Sequence, residues 1–283
     1  KKYSPKNLNN LSIKNSIEHT QFIGSGEDIL LSFIYLYKKH KTFYLPLGNL
    51  KNYNVDLMWN IAISFKCNKN KTMTLNYPLN ENSYFKKIKD FVSNYEKNKK
   101  RKFILIPVFL GTNDCNIYKG HFNTLIFNIQ NMTIERFEPY GNIINLKEHK
   151  LFDKKLLNVF LKHKINIKLI TPNKFMKNKS FQSFEEEELE KKISSLRITD
   201  PGGFCGVWGI WFSNMRLKFP DISTKDLIDK TEKILKSKTK FRNFIRNYSQ
   251  FLVKERKKLL NDTSLQYFTD KELSKKLIYL TKN

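Results

Sequence analysis

The stretch Asp200-Pro201-Gly202-Gly203-Phe204-Cys205-Gly206-Val207-Trp208-Gly209-Ile210-Trp211-Phe212 constrains the fold more than any other. Proline fixes φ and glycine admits φ > 0, so Asp200 to Gly203 reads as a tight turn. Behind it Val207, Trp208, Ile210, Trp211, Phe212, Met215 and Phe219 recur at helical spacing until Pro220 stops the segment. The segment is apolar on most sides, which predicts a buried helix rather than a surface one. Cys205 then falls in the first helical turn, where unpaired N–H groups and the helix dipole favour a thiolate. Gly206 leaves room for a substrate backbone to approach the sulfur. A small thiol packed against two tryptophans is the simpler reading of Cys205 alone. The Gly-Gly turn and the partners described below favour a nucleophile.

The rest of the chain must supply something for that helix to be buried in. With 283 residues and 40% hydrophobic content, one large domain or a domain with an accessory part can form a real core. No apolar run approaches the roughly 18 residues that cross a bilayer, so a membrane is not an expected partner. No secretory signal is visible, and the start at Lys1 without methionine predicts a trimmed or incomplete chain. Cys67, Cys115 and Cys205 are an odd number without metal-ligand spacing, which predicts a reducing compartment. The net charge of +26 invites a polyanion. The lysines are spread along the chain, however, among the abundant Asn, Ile, Phe and Tyr of AT-rich coding. The expectation is therefore weak, non-specific attraction to nucleic acid or other polyanions.

In chain order, residues 1–23 read as a polar arm. Ser25 caps a helix with Glu27 and Asp28 in its first turn, running to about Lys39. Phe43 to Leu47 is a short extended piece, Val55 to Phe65 a second helix, and Ser83 to Tyr95 another. The run Lys97 to Lys102 is either a domain boundary or a solvated helix end. Residues 1–98 are thus expected to be a mainly helical part and 99–283 the catalytic domain. Phe103 to Leu110, His121 to Ile129 and Thr133 to Phe137 read as adjacent strands, with a turn at Gln130-Asn131. A helix over 147–162, a strand over 165–170, and two or three amphipathic helices over 223–281 complete the pattern. The fold class is α+β: a small mixed sheet packed against the buried cysteine helix, with helical N- and C-terminal parts.

A cysteine nucleophile needs a base, and the base needs an orienting acceptor. Of the five histidines, His121 alone opens a strand just after a glycine-containing loop, where an imidazole can sit at a sheet edge. Glu138 ends the next strand. In a hairpin the start of one strand lies beside the end of the other, so the two face each other. Glu135, three residues back, leaves the opposite face and sits deeper in the hairpin.

These residues carry a resemblance. His121-Phe122, a strand, a turn, Thr133 to Glu138, then Cys205-Gly206 opening a buried helix, is similar to the SUMO-protease and adenovirus-protease superfamily, peptidase clan CE. The order His, acid, Cys matches, and Glu138 follows His121 by the 17 residues usual in the SUMO-protease branch. More closely, His121 to Gly141 with Pro201 to Leu217 resembles thiol proteases inferred in large DNA viruses. Those carry a Glu-Pro-aromatic-or-His-Gly turn and a Gly-Gly-aromatic-Cys helix with two tryptophans. Two departures stand out. The third member is Glu rather than Asp, as in the clan's effector acetyltransferases. The usual oxyanion glutamine position is filled by Ile198-Thr199-Asp200, which leaves Gln182 as the nearest candidate.

The resemblance implies a cysteine protease or isopeptidase with catalytic Cys205, His121, Glu138 and Gln182, and no metal or organic cofactor. Phe122, Gly202, Gly203 and Trp208 would form a narrow slot favouring glycine at the cut. The implied substrate is a viral precursor or a ubiquitin-like conjugate, in the host cytoplasm or the virion. A clan-related acyltransferase and a non-catalytic virion relative remain the other two readings.

Overall fold

The computed structural model describes residues 22, 24–40, 42–45, 61–66, 72–77, 80–95, 101–112, 121–141, 147–176, 181–182, 204–261 and 270–282. Seven helices and seven strands lie among them: α1 Gly26–His40, β1 Phe43–Tyr44, β2 Ile61–Lys66, β3 Thr72–Asn76, α2 Glu81–Ser93, β4 Phe103–Thr112, β5 His121–Asn128, β6 Thr133–Phe137, α3 Lys147–Lys162, β7 Lys168–Ile170, α4 Cys205–Lys218, α5 Thr224–Leu235, α6 Lys238–Leu259 and α7 Asp270–Lys282. The strands form one mixed sheet in the order β3-β2-β4-β5-β6-β7, with β1 also paired to β4. The fold is α+β.

Local chemistry sets the helix starts. The Ser25 hydroxyl accepts from the Asp28 N–H, Asn80 caps α2 through the Ser83 N–H, and Ser223 and Ser237 cap α5 and α6. The strands obey a period of two, and both faces of the sheet are buried. Phe103 and Leu105 of β4, Phe122 and Ile126 of β5 and Phe137 of β6 face one cluster with α1, α4 and α6. Ile104, Ile106 and Val108, then Leu125 and Phe127, then Ile134 face a second cluster with α2 and α3.

The sheet is larger than the sequence suggested. Residues 61–65, expected at the end of a helix, belong to β2, which runs parallel to β4 and antiparallel to β3. The alternation Ile61-Ala62-Ile63-Ser64-Phe65 suits a strand, and pairing with β4 on one side and β3 on the other decides the matter. Residues 55–60 lie outside the described residues, as does most of the Lys97–Lys102 run. β6 and α3 have the expected bounds, and β5 closes one residue early.

Helix α4 is central. Twelve of its 14 residues are buried, and it lies on β5 with α1 and α6 around it. The close approach passes through two glycines. A Cβ on Gly209 would come 2.6 Å from Thr124 Oγ1 and 2.9 Å from Phe122 Cε1, and one on Gly206 would come 2.9 Å from Ile29 Cδ1 of α1. Gly206 thus admits α1, a packing role in place of the expected opening for substrate. Gly209→Ala should destabilise the protein by about 1–3 kcal/mol, because strand side chains rather than a flexible tip must yield. Urea unfolding of the variant measures this; an unchanged midpoint would show that α4 can lift off β5 freely.

Candidate functional site

The β5–β6 hairpin brings His121 and Glu138 together. Its last ladder pair is Thr124 with Phe137, so one step on Asn123 faces Glu138, and His121 faces Tyr140. Glu138 begins a turn in which the Gly141 N–H donates to the Glu138 carbonyl at 2.8 Å. Gly141 has φ 65°, a value that glycine adopts without the clash a Cβ brings. The turn leaves the Glu138 carboxylate pointing back at the start of β5. His121 Nε2 donates to Glu138 Oε1 at 2.5 Å, and the Tyr140 N–H donates to the same oxygen at 3.0 Å. Asn123 Nδ2 donates to Oε2 at 2.8 Å, and His149 Nε2 of α3 stands 3.7 Å from it.

Cys205 is the first residue of α4, half-buried and with a free thiol. It hydrogen-bonds to the His121 side chain. Since Nε2 serves Glu138, Nδ1 is the nitrogen left for the sulfur. The Phe204 N-cap has no side-chain hydrogen bond to the first turn, so the cap side chain does not occupy the N–H groups beside the thiol.

The electrostatics follow from burial and pairing. His121 and Glu138 are both buried. Burial pushes the His121 pKa down, but the Glu138 charge and the hydrogen bonds to Cys205 and Glu138 outweigh it and raise it well above the ordinary imidazole value. Burial pushes Glu138 up, yet the His121 charge and hydrogen bond, with the His149 and Arg136 charges, hold it below the usual carboxylate range. His149 is lowered by its own burial, which the Glu138 charge opposes.

Gln182 is buried, and its N–H donates to the Pro139 carbonyl in the Glu138 turn at 3.1 Å. Its neighbour Phe181 packs on Trp208 and Trp211, with ring centroids 5.0 and 5.5 Å away. Gln182 is therefore fixed to the Glu138 turn next to a residue seated on α4. Among the described residues its Oε1 has no hydrogen-bond partner.

The expected aromatic slot does not form from Phe122 and Trp208. Phe122 is buried beneath α4 beside Gly209, with Phe33 at 6.2 Å. Trp208 is enclosed by Phe181, Trp211, Phe241 and Phe244. Both rings are core: Phe122 lies between β5 and α4 at Gly209, and Trp208 lies on the side of α4 that meets α6. Gly202 and Gly203 lie outside the described residues, as do Cys67 and Cys115. Glu135 turns away from the site: Arg216 Nε and Nη2 reach its carboxylate at 2.8 and 3.2 Å, and Thr224 Oγ1 donates to it at 2.6 Å.

Sequence reasoning missed Asn123, Arg136, Asp153 and His149. A signal existed for two of them. Asn123 is two residues after His121 and Arg136 two before Glu138, so strand alternation puts each pair on one face. Among the described residues no group of three or more His, Cys, Asp or Glu could hold a metal ion, and no helix is long and apolar enough to cross a membrane.

No family model matches the sequence. A protein of Acanthamoeba polyphaga mimivirus, named as an ankyrin repeat protein, is 30% identical over 284 residues, which cover 90% of this chain. The chain spans about a third of that relative's length, 35%. Among solved structures, the Chlamydia trachomatis effector protein ChlaDUB1 is similar at 12% identity and TM-score 0.44, over 85% of this chain and 86% of that one. The Chlamydia trachomatis effector Cdu1 bound to ubiquitin gives 12% and 0.39, over 85% and 94%. The SUMO protease Ulp1 with its catalytic cysteine oxidised to a sulfenic acid gives 14% and 0.27, over 78% and 75%. These scores are too low to equate the folds.

The buried pair makes stability depend on pH in two ways. A raised His121 pKa contributes stability that is full below the unfolded imidazole value, about 6.5, and lost as pH rises through the folded value. A depressed Glu138 pKa contributes stability present above the unfolded carboxylate value, about 4.3, and lost as pH falls through the folded value. Glu138→Gln should therefore cost most between about pH 4.3 and 6.5, on the order of 3 kcal/mol. The cost should shrink as pH rises above 6.5. Thermal melts of both proteins at pH 5.5 and pH 9.5 check the sign; an equal loss at both would mean that the pair carries no charge.

Proposed function

We propose that this chain is a cysteine protease or isopeptidase in which Cys205, His121 and Glu138 act as a triad. The observation that carries the reading is the buried imidazole of His121, hydrogen-bonded to the Cys205 thiol on one side and to a fully buried carboxylate on the other. Such a ring can take the thiol proton while the carboxylate balances the imidazolium. The sulfur then attacks a substrate carbonyl carbon. The tetrahedral oxyanion is met by the Cys205 N–H and by the amide of Gln182, whose oxygen and nitrogen exchange on a half-turn about its last bond. A buried amide oxygen without a partner costs about 1–3 kcal/mol. Turning Nε2 toward an arriving oxyanion gives that amide an acceptor. His121 passes its proton to the leaving amine, a thioester forms, and water attacks it with His121 again as base.

The substrate follows from the resemblance to clan CE: a viral precursor or a ubiquitin-like conjugate cut after a glycine-containing site. The mimivirus relative supports the viral setting, with the host cytoplasm or the virion as the place of action. Gly202 and Gly203 remain the proposed lining of the glycine slot.

Two expected outcomes test this. Ubiquitin or SUMO carrying a C-terminal electrophile should form a covalent adduct at Cys205 that is absent in Cys205→Ala; a wild-type protein inert to both would remove modifiers from the substrate class. In turnover assays Glu138→Gln should lower kcat by about 10²–10⁴. Glu135→Gln should instead lower the melting temperature, with turnover per folded molecule little changed. A larger kcat loss at Glu135 would mean that the wrong carboxylate has been assigned.

A further inference from the structure

The carboxylate of the triad is held by more than its imidazole. Glu138 Oε2 accepts from Asn123 Nδ2 at 2.8 Å. Asn123 is wholly buried, and its Oδ1 accepts from Arg136 Nη1 at 3.1 Å. Arg136 is locked in turn by Asp153 of α3, which takes Nε at 2.7 Å and Nη2 at 3.0 Å. A carboxylate can only accept and a guanidinium can only donate. The amide of Asn123 therefore has one orientation, oxygen to Arg136 and nitrogen to Glu138. Asp153 matches the guanidinium charge. Glu138 thus receives a neutral donor on Oε2 and keeps His121 as its close cationic partner.

We infer that Asn123, oriented by Arg136 and Asp153, is a positioning residue that keeps Glu138 ionised and aimed at His121. The inference rests on the triad reading above. Among the described residues, the titratable and charged groups facing Glu138 are His121 of β5 with Cys205 of α4 beyond it, Arg136 of β6, and His149 of α3, with Asp153 behind Arg136. Removing the Asn123 donor takes away a hydrogen bond to the ionised carboxylate and raises its proton affinity. Asn123→Asp puts a like charge in direct contact and raises it further. Both changes move the acid limb of thiol reactivity and of turnover to higher pH. A residue that merely fills space would leave that limb where it is.

The test uses iodoacetamide alkylation of Cys205, followed by peptide mapping between pH 4 and 9, with kcat and KM measured alongside. The proteins are the wild type, Asn123→Ala, Asn123→Asp, Glu138→Gln and the core control Ile134→Val. The acid limb should rise by about one pH unit in Asn123→Ala and by more in Asn123→Asp. It should stay in place in Ile134→Val. The kcat of Asn123→Ala should fall roughly tenfold with KM within about twofold, as for an interaction made chiefly in the transition state. Should Asn123→Ala not fold, Asn123→Asp carries the test, because it keeps the shape and the acceptor for Arg136. A limb that moves in Glu138→Gln but in neither Asn123 variant overturns the inference and leaves the triad standing. A limb that moves in none of them overturns the triad and the inference with it. A limb that moves as expected in a protein that turns over no modifier substrate supports the inference and removes only the substrate assignment.

Discussion

A helix without a polar face cannot lie on a surface, and this constraint organises the molecule. α4 is apolar nearly all round and must have the sheet beneath it and helices α1 and α6 over it. Gly209 lets it settle onto Phe122 and Thr124, and Gly206 lets α1 settle onto it. Its far end is fixed by Arg216, which reaches Glu135 on β6 and the carbonyls of Phe219 and Ile222. A helix held along its length and at its C-terminus has little freedom in where its first residue falls. Cys205 is that residue, and the sheet strand beneath α4 is the one that begins with His121.

The buried charges follow the same logic of enclosure. Removing an ion from water costs several kcal/mol unless a partner replaces the solvent. Strand β6 carries two such ions, with a third, Glu138, just past its end, and alternation puts Glu135 on one face and Arg136 with Glu138 on the other. Glu135 points to α4 and Arg216, Arg136 to α3 and Asp153, and Glu138, just past the strand, to His121. Asp28 in the first turn of α1 is paired with Arg256 of α6 in the same manner. With 52 lysines and arginines against 26 acidic residues, cations are in excess. Placement therefore comes from strand parity rather than from charge supply.

Much of this was legible because it is local or strictly spaced. The caps at Ser25, the bounds of β6 and α3, and the buried helix after Phe204 follow from turn chemistry and periodicity. His121 and Glu138 could be paired because a tight hairpin puts strand start beside strand end. β2 and β3 were not legible. Each is six residues or fewer, and a short apolar run reads as either helix or strand until its neighbours are known. Phe122 and Trp208 were misplaced for a related reason. Their positions near His121 and Cys205 suggested a substrate slot, but Trp208 turns to the side of α4 that meets α6, and for Phe122 sequence adjacency in a strand reverses the face. Phe122 must point away from whatever His121 points at.

That reversal explains why the site is polar on one side and aromatic on the other. On β5, His121 and Asn123 share a face, and Phe122 and Thr124 share the opposite one. The polar face meets Arg136, Glu138 and α3, and collects the hydrogen bonds that hold the carboxylate. The aromatic face meets α4 and contributes packing alone. His121 can touch Cys205 across this division only because it is the first residue of its strand, as Cys205 is the first of its helix. One residue further into either element, the imidazole would be enclosed by the sheet or the thiol by the helix core. His121 and Cys205 therefore sit where two elements begin, and their placement comes from the rigid interiors of those elements.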